Sequence, residues 1–439
     1  MLDIRFIREN TNLIKQTIVD KQLTGKVDVD ELLNLDSQLT TLNDELIKLR
    51  QQRNKLNDQI KAEKDLEKKK SIIEENTLLK PKVQALEVKI KETDETFMQL
   101  MLKVPNVTDP KMPVGKDENE NVEIRKWGKI REFDFTPLDH VDLGKRLGII
   151  DVEKSGDISG SRFYYLKGAA ALMQFAIVQL VFETLTNKEI IATLAKKVGN
   201  PFDKPFIPVV PPVMMRPSVM KRMGRLDPID ERYELKLDDL ILVGSAEHTL
   251  GPLHMDETLD KKDLPIRYIG YSTAFRREAG SHGKDVRGIL RVHQFDKLEM
   301  ETFVPQEYGS VEQDLIVAIQ EYLIQQLEIP YRVLQICTGD AGAPDYNQVD
   351  MECFIPTQGK YRETHTSDYM TDFQSRRLKT RYKDDDGENK FVYMNDATAF
   401  AVGRILIAIL ENNQQKDGSV VIPKVLRKYV GMDKIIPVI

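Results

Sequence analysis

The stretch 275–299, FRREAGSHGKDVRGILRVHQFDKLE, concentrates residue types that bind a charged, flat ligand. It reads as two strands joined by a glycine-punctuated loop. Side chains two apart on a strand share a face, so Arg276 and Glu278 point together from the first strand, and Arg291, His293, Phe295, Lys297 and Glu299 from the second. Arginines, carboxylates and an aromatic ring on one surface suit neither a core nor an ordinary solvated face. Guanidinium groups take phosphate oxygens bidentately, and Phe295 can stack on a nucleobase with Arg291 covering its other side. The chemistry that fits is nucleotide binding.

Two further signals lie C-terminal to that segment. Arg404 stands in AFAVGRILIAIL, a run apolar nearly all the way round and so expected as a buried helix from 398 to about 411. A buried arginine needs an anion to offset its desolvation. An internal salt bridge and a phosphate both meet that need, and the neighbouring strand pair favours the phosphate. Glu352 and Glu363 fall on adjacent expected strands, with Thr366 just beyond. Magnesium prefers oxygen ligands, taking one or two from protein and the rest from water and phosphates; Glu363 with Thr366 could supply them. Solvated or salt-bridged carboxylates are the alternative reading of the same pattern.

These groups need a frame to hold them. A helical pattern covers 169–198, and short strands are expected at 206–210 and 239–244. Longer alternating segments follow at 266–278 and 288–303, a helix at 311–327, and strands at 331–337, 348–355 and 360–366. Strands adjacent in sequence without long crossovers predict an antiparallel sheet flanked by helices, the α+β class. With 439 residues, 41% hydrophobic, the chain has material for two or more domains. No apolar run approaching ~18 residues is apparent, and the charged start MLDIRFIREN reads as neither signal nor anchor. A cytoplasmic protein without membrane attachment is expected. Cys337 and Cys353 sit in short apolar runs and the six histidines are scattered, which predicts neither disulfide nor zinc.

The N-terminal quarter is different in kind. Residues 1–18 read as a short helix. Leu32, Leu35, Leu39, Leu42, Leu46, Leu49, Arg53, Leu56 and Ile60 then climb at alternating three- and four-residue spacing, and Leu79, Val83, Leu86, Ile90, Thr93, Phe97, Leu100 and Val104 return. Such spacing aligns one apolar seam per helix, giving an antiparallel coiled-coil hairpin about 40 Å long. Its expected tip, 61–77, carries Lys61, Lys64, Lys68, Lys69 and Lys70, with Arg50 and Arg53 on the first arm, although the chain has a net charge of −6. A basic projecting rod suits RNA, while a plain solvated coiled coil is the other reading of the hairpin taken alone. Prolines 105, 110 and 113 break the periodicity, and the domains are expected at 1–110 and 111–439.

Taken together, these segments resemble the seryl-tRNA synthetases of the ordinary bacterial and eukaryotic type, a class II aminoacyl-tRNA synthetase family, over essentially the whole chain. The three class II signatures appear in order: a long helix and strand ending in Pro211-Pro212, then FRREAG with RVHQFDKLE, then AVGRILIAIL. GSRFYYLKGAAAL, SAEH, ICTGD, KYRETHTSDYMTDFQSRR and ILENNQQKDGS are each similar to family segments in place and spacing.

The resemblance implies an ATP-dependent ligase that joins serine to tRNA through a seryl-adenylate, with Mg2+ as cofactor. It implies that Arg276 holds the ATP α-phosphate, Glu278 reads the adenine amino group, Phe295 stacks on the base and Arg404 holds the γ-phosphate end. Arg291 would lie near nucleotide and substrate carboxylate, Glu363 and Thr366 would coordinate magnesium, and Arg276, Arg291 and Arg404 would be the catalytic cations. Serine would be bound by Ser245, Glu247, Arg276, Glu299, Asp396 and Thr398, with Glu299 accepting a hydrogen bond from its side chain. The hairpin would grip the variable arm of serine tRNA, with selenocysteine tRNA a second candidate, and a homodimer is implied. Departures gather where the amino acid is read: Ser245 where threonine is usual, Asp396-Ala397-Thr398 where Asn-Gly-Ser is usual, and Thr364 to Asp368 after Glu363. An altered amino-acid preference and a non-catalytic RNA-binding protein are the alternatives, and all of Arg276, Glu278, Glu363 and Arg404 are present.

Overall fold

The Asp28 side chain accepts the Glu31 N–H and starts a helix that runs Val29–Ala62; Asp65, accepting from Glu67 and Lys68, starts its partner, Leu66–Lys103. Carboxylates at these positions satisfy backbone donors that the first helical turn leaves open. Two short helices, α1 (Ile4–Glu9) and α2 (Thr11–Asp20), precede the long pair, now α3 and α4, where one helix was expected over 1–18. In this computed structural model, which describes residues 1–279 and 287–438, these elements belong to the first of two compact units, Met1–Val107 and Thr108–Ile439.

The seam is as the spacing predicts. Leu42, Leu46, Val83 and Leu86 form its buried centre, flanked by Leu49 and Ile90. The tip differs from expectation: α4 begins at Leu66, so only 63–65 are non-helical and Lys68, Lys69 and Lys70 lie on its first turns. Heptad spacing alone could not place that start, because 66–78 is solvated on most sides and shows no seam; the Asp65 cap decides it. Pro81 is accommodated inside α4. The Asn76 side-chain amide donates to the Asn57 carbonyl oxygen at 2.6 Å across the arms, a polar contact of the kind that fixes coiled-coil register.

The second unit is built on an eight-stranded sheet. Its strands are β1 (Val122–Trp127), β2 (Ile207–Val209), β3 (Ile266–Phe275), β4 (Gln294–Val304), β5 (Tyr331–Gln335), β6 (Asn347–Ile355), β7 (Lys360–Thr371) and β8 (Tyr393–Ala401). They lie in the order β1-β5-β6-β7-β8-β4-β3-β2, antiparallel except for β2 beside β3. The α+β expectation holds. Helices α5 (Ala169–Thr186), α7 (Gly309–Gln326) and α8 (Val402–Asn413) cover the sheet and share its main core.

Several boundaries depart from the sequence reading. The pattern at 169–198 is two helices, because Asn187 caps α6 (Lys188–Val198) by accepting from Glu189 and Ile190. Helix α5 is itself 18 residues of high mean hydropathy, so the expectation that no such apolar run exists is corrected; 56% of it is buried within the unit, as a core helix of the sheet. Thr398 lies in β8, not in the helix, which starts at Val402. The apolar run 399–410 is continuous across both, and periodicity cannot divide a buried strand from the buried helix that follows it. The site strands β3 and β4 are shorter than expected, leaving Arg276, Glu278, Arg291 and His293 just beyond their ends. Part of the connection between them, 280–286, falls outside the described residues. Cys337 and Cys353 are both buried and free.

Candidate active site

Strand alternation puts Phe295, Lys297 and Glu299 of β4 into one cavity, while Leu298 and Met300 join the core behind. Arg276, Glu278 and Arg291 reach the same cavity from the connections at the strand ends, and Arg404 from the first turn of α8. Glu247, Glu363, Thr366, Asp396 and Thr398 complete the expected set. Twelve positions from six segments thus converge on one hollow.

Glu363 and Thr366 are three apart, and on a regular strand they would face opposite ways. The β6–β7 register steps from Glu352↔Glu363 to Met351↔His365 and skips Thr364. This bulge turns both oxygen-bearing side chains toward the cavity. Glu352 stands opposite Glu363, as expected of adjacent strands, and its carboxylate takes the Arg332 Nε at 2.5 Å. Asp350, missed by sequence reading, stands opposite Thr366. Burial and the nearby Glu363 push its carboxyl well above the ordinary range, although a hydrogen bond with Thr366 acts the other way. Alternation on β6 could have flagged it, since Asp350 and Glu352 are two apart.

The cations line the same cavity. The Arg276 Nε donates to the Gly244 carbonyl at 3.1 Å, and its guanidinium lies 5.3 Å from the centre of the Phe295 ring. Arg291 lies 3.4 Å from Glu278. Glu278 itself has φ +55, a conformation that costs a non-glycine residue energy. Arg404 is not fully buried, contrary to the reading from its helix. It lies 3.0 Å from Glu363 Oε1 and donates to the Glu363 carbonyl at 2.9 Å, so the salt bridge considered for it exists, at the cavity wall. Burial would raise the Glu363 carboxyl, but Arg404, Arg276 and Lys297 outweigh it and hold it low.

The deep end of the cavity is acidic. Burial pushes the Glu299 carboxyl up to about 8, against the pull of Lys297, whose Nζ is 3.0 Å from Oε1. Glu247 is also buried, but Lys297, His248 and Arg225 outweigh desolvation and keep it ionised. Glu247 Oε2 and Glu299 Oε2 are buried with no hydrogen-bond partner among the described residues. Thr398 Oγ1 donates to Glu299 Oε1 at 3.3 Å. Ser245 does not line the cavity but touches this group from behind the wall: it is fully buried, accepts from Lys297 Nζ at 3.1 Å, and its hydroxyl helps to hold the Glu247 carboxyl low. Arg225 and Asp368 line it and were not chosen as site residues from sequence; no spacing connects Arg225 to any motif.

The hairpin cations occupy the first unit. Lys61, Lys64, Lys68 and Lys70 are exposed, Arg53 and Lys69 partly so, and Arg50 pairs with Glu87 at 2.7 Å on the surface.

Two family models match the chain: the seryl-tRNA synthetase N-terminal domain over 1–108, and the class II tRNA synthetase core domain (G, H, P, S and T) over 232–413. A serine–tRNA ligase of Dictyoglomus turgidum is 39% identical over 440 residues, covering 100% of each chain. Among solved structures, a seryl-tRNA synthetase from Pyrococcus horikoshii complexed with ATP is similar at TM-score 0.90 and 37% identity, covering 100% of both chains. A cytoplasmic serine–tRNA ligase from Naegleria fowleri in complex with AMP gives TM-score 0.84 at 27% identity, covering 100% of this chain and 99% of that one. By these matches the chain belongs to the seryl-tRNA synthetases, within the class II aminoacyl-tRNA synthetases.

Proposed function

We propose that this protein attaches serine to tRNA in two steps that share one cavity. ATP and serine give seryl-adenylate and pyrophosphate; the terminal hydroxyl of the tRNA then takes the seryl group and releases AMP. The observation that carries this reading is the make-up of the cavity wall. Arg276, Arg291, Arg404 and an aromatic ring line it together with Glu247 and Glu299, whose buried Oε2 atoms have no hydrogen-bond partner among the described residues. The cations and the ring fit a nucleoside triphosphate, and the carboxyl groups a small ammonium-bearing, hydroxylated molecule.

Adenylation transfers a group between oxygens, so positioning and charge neutralisation supply most of the catalysis. Arg276 takes the α-phosphate where the serine carboxylate attacks; Arg404 takes the γ-phosphate end, and Arg291 spans nucleotide and carboxylate. Glu278 accepts the adenine amino group and Phe295 stacks on the base. Ionised Glu247 receives the serine ammonium, Glu299 and Thr398 meet the side-chain hydroxyl, and Ser245 acts from behind by orienting Lys297. Glu363 and Thr366 are hard oxygen donors turned to one cavity wall and fit Mg2+; when bound, the ion neutralises phosphate charge. No nucleophilic side chain is needed.

The basic hairpin, with Arg50, Arg53, Lys61, Lys64, Lys68, Lys69 and Lys70, tracks the backbone of the serine tRNA by shape and charge; the same surface extends to selenocysteine tRNA. The chain acts as a cytoplasmic homodimer. Phe175 on α5 and Val210 after β2 are 58% and 78% exposed, apolar surface that a second copy would cover.

Pyrophosphate exchange into ATP, with serine, threonine, alanine and glycine supplied singly and no tRNA, tests the reading. Exchange with serine alone is expected. Exchange driven best by another amino acid would replace serine by altered specificity, and none at all would leave an RNA-binding protein.

A further inference from the structure

Around Asp396, one of the expected serine-binding positions in the cavity wall, lies an arrangement of buried acids that the two-step reaction leaves unexplained. The sheet register sets Glu301 of β4 opposite Asp396 of β8, and Asp396 opposite Asp368 of β7. Directly opposed side chains on antiparallel strands stand about 5 Å apart, so three carboxyl groups form a row across three strands. All are buried, at 0%, 3% and 8% exposure. Like charges placed in this way repel, and a buried charge without a partner is strongly destabilising.

Arg225, which follows the helix Pro217–Met223, answers the row from outside the sheet. Its Nη2 lies 2.9 Å from Asp396 Oδ2 and 3.9 Å from Asp368 Oδ2. The Arg225 carbonyl in turn accepts from Arg232 at 3.2 Å and 2.7 Å, which fixes the segment. Arg225, Asp396 and Asp368 all reach the cavity wall beside Glu247. The two acids that Arg225 contacts are among the positions where this chain departs from the family pattern, Asp396 standing where asparagine is usual. An aspartate there adds a charge that an asparagine would not, and the arginine balances it.

We propose that Arg225 is a positioning residue of the amino-acid pocket: it holds the Asp396 carboxylate down on the pocket floor and so keeps Thr398, two residues further along the same strand face, against Glu299. Without the guanidinium, Asp396 is free to turn toward the substrate ammonium and take β8 with it. Without the carboxylate, a guanidinium left with Asp368 alone, at 3.9 Å, faces that ammonium. Either change weakens serine binding and leaves the nucleotide end untouched. This inference rests on the serine-activating reading given above.

The test is serine-dependent pyrophosphate exchange by the full chain and by Arg225→Met, Asp396→Asn and the double variant, with thermal melting of each sample to check folding. The serine KM is expected to rise at least tenfold in each single variant with the ATP KM within twofold, and to be lower in the double variant than in either single one. If Arg225→Met does not fold, Asp396→Asn and the double variant decide by the same criterion. A serine KM unchanged in the single variants, an equal rise in both KM values, or a double variant no better than the single ones would overturn the proposal. Absence of exchange with any amino acid in the unsubstituted protein would instead sink the serine-activating reading, and the proposal with it; that result is seen before any substitution is made.

Discussion

The hairpin and the cavity handle charge in opposite ways. Along α3 and α4 the apolar seam is dry and the charges stand in water; the Arg50–Glu87 pair is 57% and 43% exposed on its two side chains, a setting in which an ion pair contributes roughly 1 kcal/mol or less. In the catalytic unit, arginines and carboxyls are buried against one another: Arg267 and Glu312 pair at 2.6 Å with both side chains fully buried, and Glu247, Glu299 and Asp396 share one hollow. The first region uses charge at long range and yields it to salt. The second uses charge at contact distance, where the protonation state of each group is part of the geometry. The hairpin should therefore tolerate substitution piecemeal, and the cavity should not.

The largest effect that would sharpen this contrast is expected from Arg276→Ala, which should reduce pyrophosphate exchange by about 10²–10³-fold or more while leaving the melting of the hairpin unchanged. Exchange retained within tenfold would mean that Arg276 is not the α-phosphate residue. Replacing Lys61, Lys64, Lys68, Lys69 and Lys70 together by glutamine should leave exchange unaffected, weaken tRNA charging by roughly tenfold at moderate salt, and flatten the dependence of charging on ionic strength. If exchange falls in parallel with charging, the division of labour between the units is wrong.

A smaller effect separates the two regions by pH. Glu299 is surrounded by Lys297, Glu247, Asp396 and Glu301, and burial lifts it from the ordinary 4.5 to about 8. Between those values the folded protein holds a proton that the unfolded chain has lost, so stability falls as pH rises. The contribution is full below pH 4.5 and gone above about 8. Glu299→Gln removes this titration, so its melting temperature relative to the unsubstituted protein should climb between pH 5 and pH 8 by roughly several degrees and level off beyond. A difference that stays flat with pH would show that Glu299 is already ionised. The smallest change is expected from Leu46→Ala in the seam. It should loosen the hairpin by ~2 kcal/mol, raise the tRNA KM about two- to threefold at a cost of roughly 0.5 kcal/mol, and leave serine and ATP KM values as they were.

How much of each region was legible follows from the same contrast. The seam residues from Leu32 to Ile60 and from Leu79 to Val104 all emerge buried or half-buried, because a 3-4 repeat on an isolated helix pair has one way to bury itself. The basic tip was legible in composition but not in shape, since the Asp65 cap that starts α4 lies in a segment without periodicity. In the catalytic unit, alternation on β4 placed Phe295, Lys297 and Glu299 together. It said nothing of Ser245, which lies behind the wall, or of the ion pair that Glu352 makes with Arg332. It could not have joined Glu363 to Thr366 without the bulge at Thr364, which alternation has no means of marking.

What the sequence by itself determined is the list of parts: a coiled-coil hairpin set by its heptads, an α+β unit set by strands without long crossovers, and a strand pair with Arg276, Glu278, Phe295 and Glu299 on it or at its ends. These depend on short-range spacing, which a chain carries whatever its tertiary fold. Only the tertiary structure decided which charges meet. Glu301, Asp396 and Asp368 lie far apart in the chain and form a row because β4, β8 and β7 are neighbours in the sheet. Arg225 reaches that row from a segment with no motif of its own. Strand order and register are settled by packing of the whole core, and the charge balance of a buried pocket is settled with them.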